Sequence, residues 1–446
     1  IQMKKDKTSY FIGIVFICII AAFFISICVR VFQTQVLKKY TFDFPTSETV
    51  QTIDYSNDWS KHYLFNPQDS YTAADKTDEK PEETTEASEK KTSKYVSKVN
   101  DLEYRINYYT TKLLYGRMRM IEAYALFNKT VGMKIVTGTE SIVVMNNGYL
   151  TFEFFAYDTT PAADSVTWFS NKLAERNVDF AYVQLPAKED KDDEQLPSGV
   201  SDNVNKNADQ LLKRLDENKV KYYDFRTLLS QKDDDWYSNF FKTDHHWKPE
   251  TGVWAAGQLV KLINRDFNYG LDESIGDTDR YKIDVYEKYC LGSQGKIATL
   301  TYADPEDISL IYPKADTSYT VQYNNDAPKT GRFEDTLLDK SYVSKIDYYN
   351  TSTYSAYLCG NKALTRIKNN NCHNGKRLLL IGDSYSKCVV PYLAETFENV
   401  DMLDRRMFNG SILTYIDETS PDMVIVAYTP TQFSDASTHN STFNFE

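Results

Sequence analysis

The chain has 446 residues, 41% of them hydrophobic, with a formal net charge of -12. Its pI is about 5.1. That length admits a sizeable core and more than one structural region, and the acidic balance argues against nucleic-acid binding, which needs a basic footprint. The 34 tyrosines and 24 phenylalanines fit strands and core, with sugar-facing aromatics as the alternative. Six cysteines include no CxxC pair, which argues against a zinc ribbon or a thioredoxin-type site. Cys359 and Cys372 are a candidate disulfide in an extracytoplasmic body, subject to geometry.

Residues 11–29, FIGIVFICIIAAFFISICV, carry no charge. Their length is close to the roughly 20 residues of a bilayer-spanning helix. A signal peptide is the alternative, but its apolar region is usually shorter, about 7–15 residues, and no small-residue cleavage site follows here. Residues 1–39 are therefore expected to be a membrane anchor, N-terminus inside and main body outside. Residues 40–98 read as a stalk and a disordered acidic linker. Within them AADKTDEKPEETTEASEKKTSK has almost no large apolar residue to offset its ordering entropy.

Residues 99–430 are expected to form an α/β body. Leu102, Ile106, Tyr109, Leu113 and Leu114 recur at helical steps, continued by Met118, Ile121, Ala125 and Leu126 up to Gly132. Short strands follow at 135–136 and 141–145, with Asn147-Gly148 as a turn. A helix is predicted over 164–176, a strand over 178–185, a helix over 208–218 and a strand over 220–225. This alternation predicts a parallel sheet with helices on both faces. A further helix opens at Pro249, with Val253, Ala256, Leu259, Val260 and Ile263 on its apolar face. Residues 270–371 hold short alternating runs and many turn residues, and read as an inserted β-rich region. In it, Gly292-Ser293-Gln294-Gly295 is a turn able to approach a site. Strands at 378–381, 400–403 and 423–427 then alternate with helices at 389–397 and 412–418. Residues 431–446 are expected to be a polar, mobile tail.

Two motifs carry chemistry. Asp244-His245-His246-Trp247 lies just ahead of the Pro249 helix, and Gly382-Asp383-Ser384 ends an apolar strand. A serine needs a base to act as nucleophile, and an imidazole needs an acid to fix its tautomer. Asp244 and His246 face the same way in extended chain, and a bend would bring them into contact, with His245 pointing away. Both motifs fall where open parallel sheets place their sites. The candidate catalytic residues are Ser384 as nucleophile, His246 as base and Asp244 as acid.

Ser384 would offer its own N–H to an oxyanion at the start of a helix, and Gly382 would permit a tight turn and close substrate approach. Asn409, before Gly410, is the candidate second donor, with an ordinary turn role as the alternative. Asp383 is expected to cap the loop. Trp247 is a candidate for stacking on a sugar, or a core residue. The chemical rival is a metal held by Asp244, His245 and His246. Adjacent histidines rarely converge on one ion and nothing nearby completes the set, so no metal and no cofactor are expected.

These residues resemble the SGNH hydrolase superfamily, and most closely the DHHW-type proteins of bacterial cell surfaces. The resemblance spans roughly residues 100–430. It implies a flavodoxin-like SGNH-type fold in permuted motif order, with acid and base before the serine. That order is similar to the alginate O-acetyltransferase proteins, which carry an Asp-x-His-Trp motif upstream of their serine. The resemblance further implies a membrane-anchored, extracytoplasmic O-acetyltransferase or esterase that acts on a cell-surface polysaccharide through an acyl-serine. A multi-spanning membrane acyltransferase would be its partner. Whether sugar or water accepts the acyl group depends on how the cleft excludes water. The alternative is a non-catalytic glycan-binding or assembly protein on the same scaffold, since a fold does not carry an activity by itself.

Overall fold

The computed structural model describes residues 117–137, 140–232, 235–435 and 442–446. The expected anchor, stalk, linker and helical pattern up to residue 116 lie outside the described residues. Among the described residues no helix is long and apolar enough to cross a membrane. The compact body runs from Asn128 to Glu446.

Helix α1 (Arg117–Thr130) gives way to a turn at Gly132, where φ is +77°. Strands β1 (Ile135–Thr137), β2 (Ser141–Val144) and β3 (Leu150–Phe152) form a small antiparallel sheet. Gly148, with φ at +80°, takes the left-handed position that the Asn-Gly turn between β2 and β3 demands. The α/β part follows as α2 (Thr160–Ala174), β4 (Asp179–Gln184), α3 (Asn203–Glu217), β5 (Tyr222–Asp224), α4 (Phe225–Ser230) and α5 (Pro249–Phe267). Next come β6 (Tyr281–Cys290), α6 (Ser293–Ala298), β7 (Glu306–Pro313), β8 (Tyr319–Tyr323), β9 (Lys329–Gly331) and α7 (Phe333–Thr336). The chain closes with β10 (Leu364–Asn369), β11 (Arg377–Gly382), α8 (Val390–Leu393), β12 (Asn399–Leu403), α9 (Ile412–Thr419) and β13 (Met423–Tyr428).

The central sheet has eight strands in the order β5-β4-β13-β11-β12-β10-β8-β9. The first five are mutually parallel. Strand side chains alternate between faces, and each face has its own core. Leu378 and Leu380 of β11 and Met423 and Ile425 of β13 pack with Val253, Ala256, Leu259 and Ile263 of α5. Leu379, Ile381, Val424 and Val426 pack on the other side with Val166 and Phe169 of α2, Leu211 and Leu215 of α3, and Ile412 and Ile416 of α9. Burial on both faces is why β11 and β13 read as unbroken apolar runs. The mixed α/β fold expected from the sequence is the one observed.

Two features differ from the sequence-based expectation, and the cysteine pairing that sequence leaves open is decided. The stretch 270–371 supplies an antiparallel hairpin, β6-β7, but its remaining strands join the central sheet as an antiparallel edge. Tyr319, Val321 and Ile367 share the α5-side core, which draws β8 and β10 onto the sheet. The chain end is not a loose polar tail. Phe433, Phe443 and Phe445 are buried in the α2-side core, and the Phe445 ring stacks on Phe169 at 4.5 Å. Cys359 and Cys372 are free thiols, lying near the carbonyls of Thr336 and Thr396 respectively.

The tail packing gives a test. Phe445 is 1% exposed, so Phe445→Ala should destabilise the body by about 3–5 kcal/mol. Denaturant unfolding reads this, and a loss under about 0.5 kcal/mol would match a mobile tail instead.

Candidate active site

The Asp244 loop leaves β5 through α4 and returns to α5 at Pro249. It is closed by an isolated bridge between Phe240 and Trp247. Glu306, at the start of β7, clamps it: the carboxylate accepts from the Lys242 N–H, the Thr243 N–H and the Thr243 hydroxyl, each at 2.7 Å. Thr243 Oγ1 in turn accepts from the Gly292 N–H at 3.0 Å, and the Thr243 carbonyl from the Gly295 N–H at 2.8 Å. The segment 292–295, read from sequence as a turn, is thus a wall of the site. Gly292 lies so close to Asp244 that any Cβ there would collide with it.

Within the loop the backbone bends, and His246 N–H donates to Asp244 Oδ1 at 3.1 Å. The same oxygen receives His246 Nδ1 at 2.6 Å, and Oδ2 accepts from the Ser293 N–H at 2.8 Å. On the far side of the ring, His246 Nε2 stands 2.7 Å from Ser384 Oγ. Ser384 opens a five-residue 3-10 turn, Ser384–Cys388, at the C-terminal end of β11. It is the one partly exposed residue in a buried turn. Asp383 caps that turn, as expected: Oδ1 accepts from the Tyr385 N–H and Oδ2 from the N–H and hydroxyl of Thr429.

The structure therefore joins Asp244, His246 and Ser384, which are 138 residues apart at the His–Ser contact. It brings His245 beside them as well, and gives Trp247, Gly382 and Asn409 other surroundings than expected. His245 does not point away: its ring lies 3.8 Å from that of His246, and its Nδ1 is 2.9 Å from Ser293 Oγ. The bend that brings Asp244 to His246 also folds His245 back. Trp247 is fully buried and donates Nε1–H to the Tyr385 carbonyl at 3.2 Å, so it braces the serine turn and is closed to a sugar. Gly382 serves packing, because a side chain there would strike Ser386 and Leu380. Asn409 is exposed on the loop after β12 and forms no hydrogen bond with the three joined residues.

Sequence reading missed four neighbours. Tyr354 stacks on the His246 ring at 3.9 Å and 16°. Asn361 and Lys387 line a narrow crevice beside Ser384, with Leu358 and Met402 as its apolar walls. Glu306 is the fourth. Only Lys387, three residues past the serine, had a local signal. A larger open depression lies at the β5 edge around Arg226. Arg226 is already paired there with Asp209 and Asp224.

Burial would raise the Asp244 carboxyl, but the His246 and His245 charges and its hydrogen bonds win and hold it well below the usual range. Burial dominates at His246 and lowers it, with the Asp244 charge opposing only in part. At neutral pH the pair is an ionised acid beside a neutral base, the state needed to accept a serine proton. The ligand atoms of Asp244, His245 and His246 lie within 4.8 Å of one another. Their shared atoms are engaged in the hydrogen bonds above, an arrangement suited to proton transfer.

Two tests follow. Because burial lowers His246, its imidazole should stay neutral through pH 7 and protonate only below the ordinary 6.5. An NMR titration with a midpoint above 6.5 would contradict this. Gly292→Ala should push Asp244 off the imidazole and cut turnover of an activated acetyl ester by roughly 10²-fold in a folded chain, read by esterase assay beside circular dichroism.

Residues 158–352 match the family described as the SGNH hydrolase-like domain of the acetyltransferase AlgX. That span contains Asp244 and His246 and ends before Ser384. Bacillus cereus PatB1 is 22% identical, with a TM-score of 0.57, over 69% of this chain and 100% of that one. The same protein carrying a sulfonyl adduct gives a TM-score of 0.56 at 22% identity, over 69% of this chain and 99% of that one. A DHHW family protein from Eubacterium siraeum is 18% identical, with a TM-score of 0.52, over 68% of this chain and 94% of that one. At these identities the likeness is one of fold. No curated protein matches the chain. Over residues 158–352 the chain is similar to the SGNH hydrolase-like domain of the acetyltransferase AlgX, and it shares its fold with PatB1 and the DHHW family protein.

Proposed function

We propose that this protein is a serine-dependent O-acetyltransferase or esterase of a cell-surface polysaccharide. The observation that carries the reading is the continuous line from Asp244 through His246 to Ser384, with contacts of 2.6 and 2.7 Å. Ser384 Oγ attacks the acyl carbonyl and gives its proton to His246 Nε2. Asp244 holds the Nδ1–H tautomer and stabilises the imidazolium. The oxyanion meets the Ser384 N–H and Asn361 Nδ2 in the cavity they share. Asn361 takes the role that sequence reading gave to Asn409. When the tetrahedral intermediate collapses, His246 returns the proton to the leaving group and acetyl-Ser384 remains. A sugar hydroxyl or water, deprotonated by His246, then accepts the acetyl group.

The family match to an acetyltransferase domain supports acetyl as the group carried. Residues 11–29 fit a single membrane span, and the linker that follows would hold the body outside the cytoplasm, within reach of an envelope glycan. A multi-spanning membrane acyltransferase is the proposed acetyl source.

Incubation with p-nitrophenyl acetate, followed by peptide mass spectrometry, should find one acetyl group on Ser384 in the wild type and none in Ser384→Ala or His246→Ala. Asp244→Asn should lower turnover by roughly 10⁴-fold, as loss of the orienting acid does in serine triads. A folded wild type that neither acetylates nor turns over would overturn the reading.

A further inference from the structure

The nucleophile's turn carries a buried lysine that the acid–base line does not use. Lys387 is 4% exposed. Burying an ammonium is costly unless the interior compensates it, so its partners indicate its purpose. Its Nζ donates to Asn361 Oδ1 at 2.8 Å and lies 5.4 Å from the centre of the Tyr354 ring. That ring is the one stacked on His246. Lys387, Asn361 and Ser384 line one cavity.

An ammonium only donates, so it settles which way the Asn361 amide faces. The oxygen turns to Lys387, and Nδ2 is left without a partner among the described residues. We propose that Lys387 is a positioning residue for acyl transfer: it locks Asn361 with its amide nitrogen available to the oxyanion at Ser384. The proposal deepens the function above and rests on it. Bond changes are unaltered. Ser384 Oγ bonds to the acyl carbon, its proton goes to His246, and the carbonyl electron pair becomes the oxyanion that Asn361 receives. Lys387 keeps its own proton throughout.

The surroundings make that proton sensitive to pH. Asp404 and Lys362 share the cavity, Cys388 adjoins on the same turn, and Arg406 and Asp244 act from farther off. Burial outweighs them and pushes the Lys387 ammonium down to about 8. Burial pushes the Cys388 thiol up, so it stays neutral and does not compete. As pH rises through about 8, Lys387 becomes an amine that can accept as well as donate, and Asn361 is no longer held to one orientation.

The test uses the full chain and a fluorogenic acetyl ester, with kcat followed from acid to alkaline pH. The wild type should lose kcat as pH rises through about 8. Lys387→Met should reduce kcat about tenfold to a hundredfold, and the alkaline limb should vanish from what remains. The double variant with Asn361→Ala should be no worse than the poorer single variant. Lys387→Arg, which stays charged, should restore part of kcat and move the alkaline limb upward. Melting temperature separates lost fold from lost positioning. A folded Lys387→Met chain with wild-type kcat, or with the limb still in place, overturns the proposal. If that variant does not fold, an unmoved limb in Lys387→Arg overturns it. A wild type that never acylates would instead bring down the reading of the site.

Discussion

A carboxylate withdrawn from water keeps its charge only if donors surround it, and Asp244 is 5% exposed. Its donors come from two places: the backbone and ring of His246, two residues on, and the Ser293 N–H. The bend at 244–246 is therefore held in part by the charge it encloses. If Asp244 were neutral, the loop would lose three charge-assisted hydrogen bonds at once, each stronger than a neutral one. The imidazole would lose its fixed tautomer as well. Asp244 orients the His246 imidazole and shapes the loop that presents it.

The rest of the architecture delivers Ser384 to that imidazole. Two cores clamp β11 from both faces, and its apolar run ends at Gly382, where Asp383 turns the chain. The turn is pinned to β13 through Thr429 and to the motif loop through the Trp247 indole. Tyr385 also donates its hydroxyl to the His245 carbonyl. Ser384 and His246 thus sit on separate segments tied by several short bridges. Such bridging is what a contact within hydrogen-bond reach requires. Glu306 does the same on the opposite side of the loop, from a strand outside the parallel sheet.

The parts legible in the sequence are those where chemistry and local geometry coincide. Strand 378–381 could be read because both its faces are buried, and α5 because its apolar face repeats at helical spacing and Pro249 opens it. Asp244, His246 and Ser384 could be paired because an acid and a base two residues apart, ahead of a helix, have few other uses near a strand-end serine. What could not be read depends on tertiary approach. Glu306, Tyr354 and Asn361 have no local signature and reach the site only because the chain between β6 and β10 folds back over it. Asn409 is from sequence as good a candidate for a turn residue as for a donor, and its loop faces solvent. The chain end looked polar because its three buried phenylalanines are scattered among Ser, Thr and Asn.

On the proposed function, one hydroxyl in this chain is activated, and His246 activates it. Phenylmethylsulfonyl fluoride tests it most directly, since the reagent transfers its sulfonyl group to an activated serine. Peptide mass mapping of the folded chain should place one sulfonyl group on Ser384, with the rate falling sharply in His246→Ala. Modification at another serine, or an equal rate at Ser384 without the imidazole, would contradict the account.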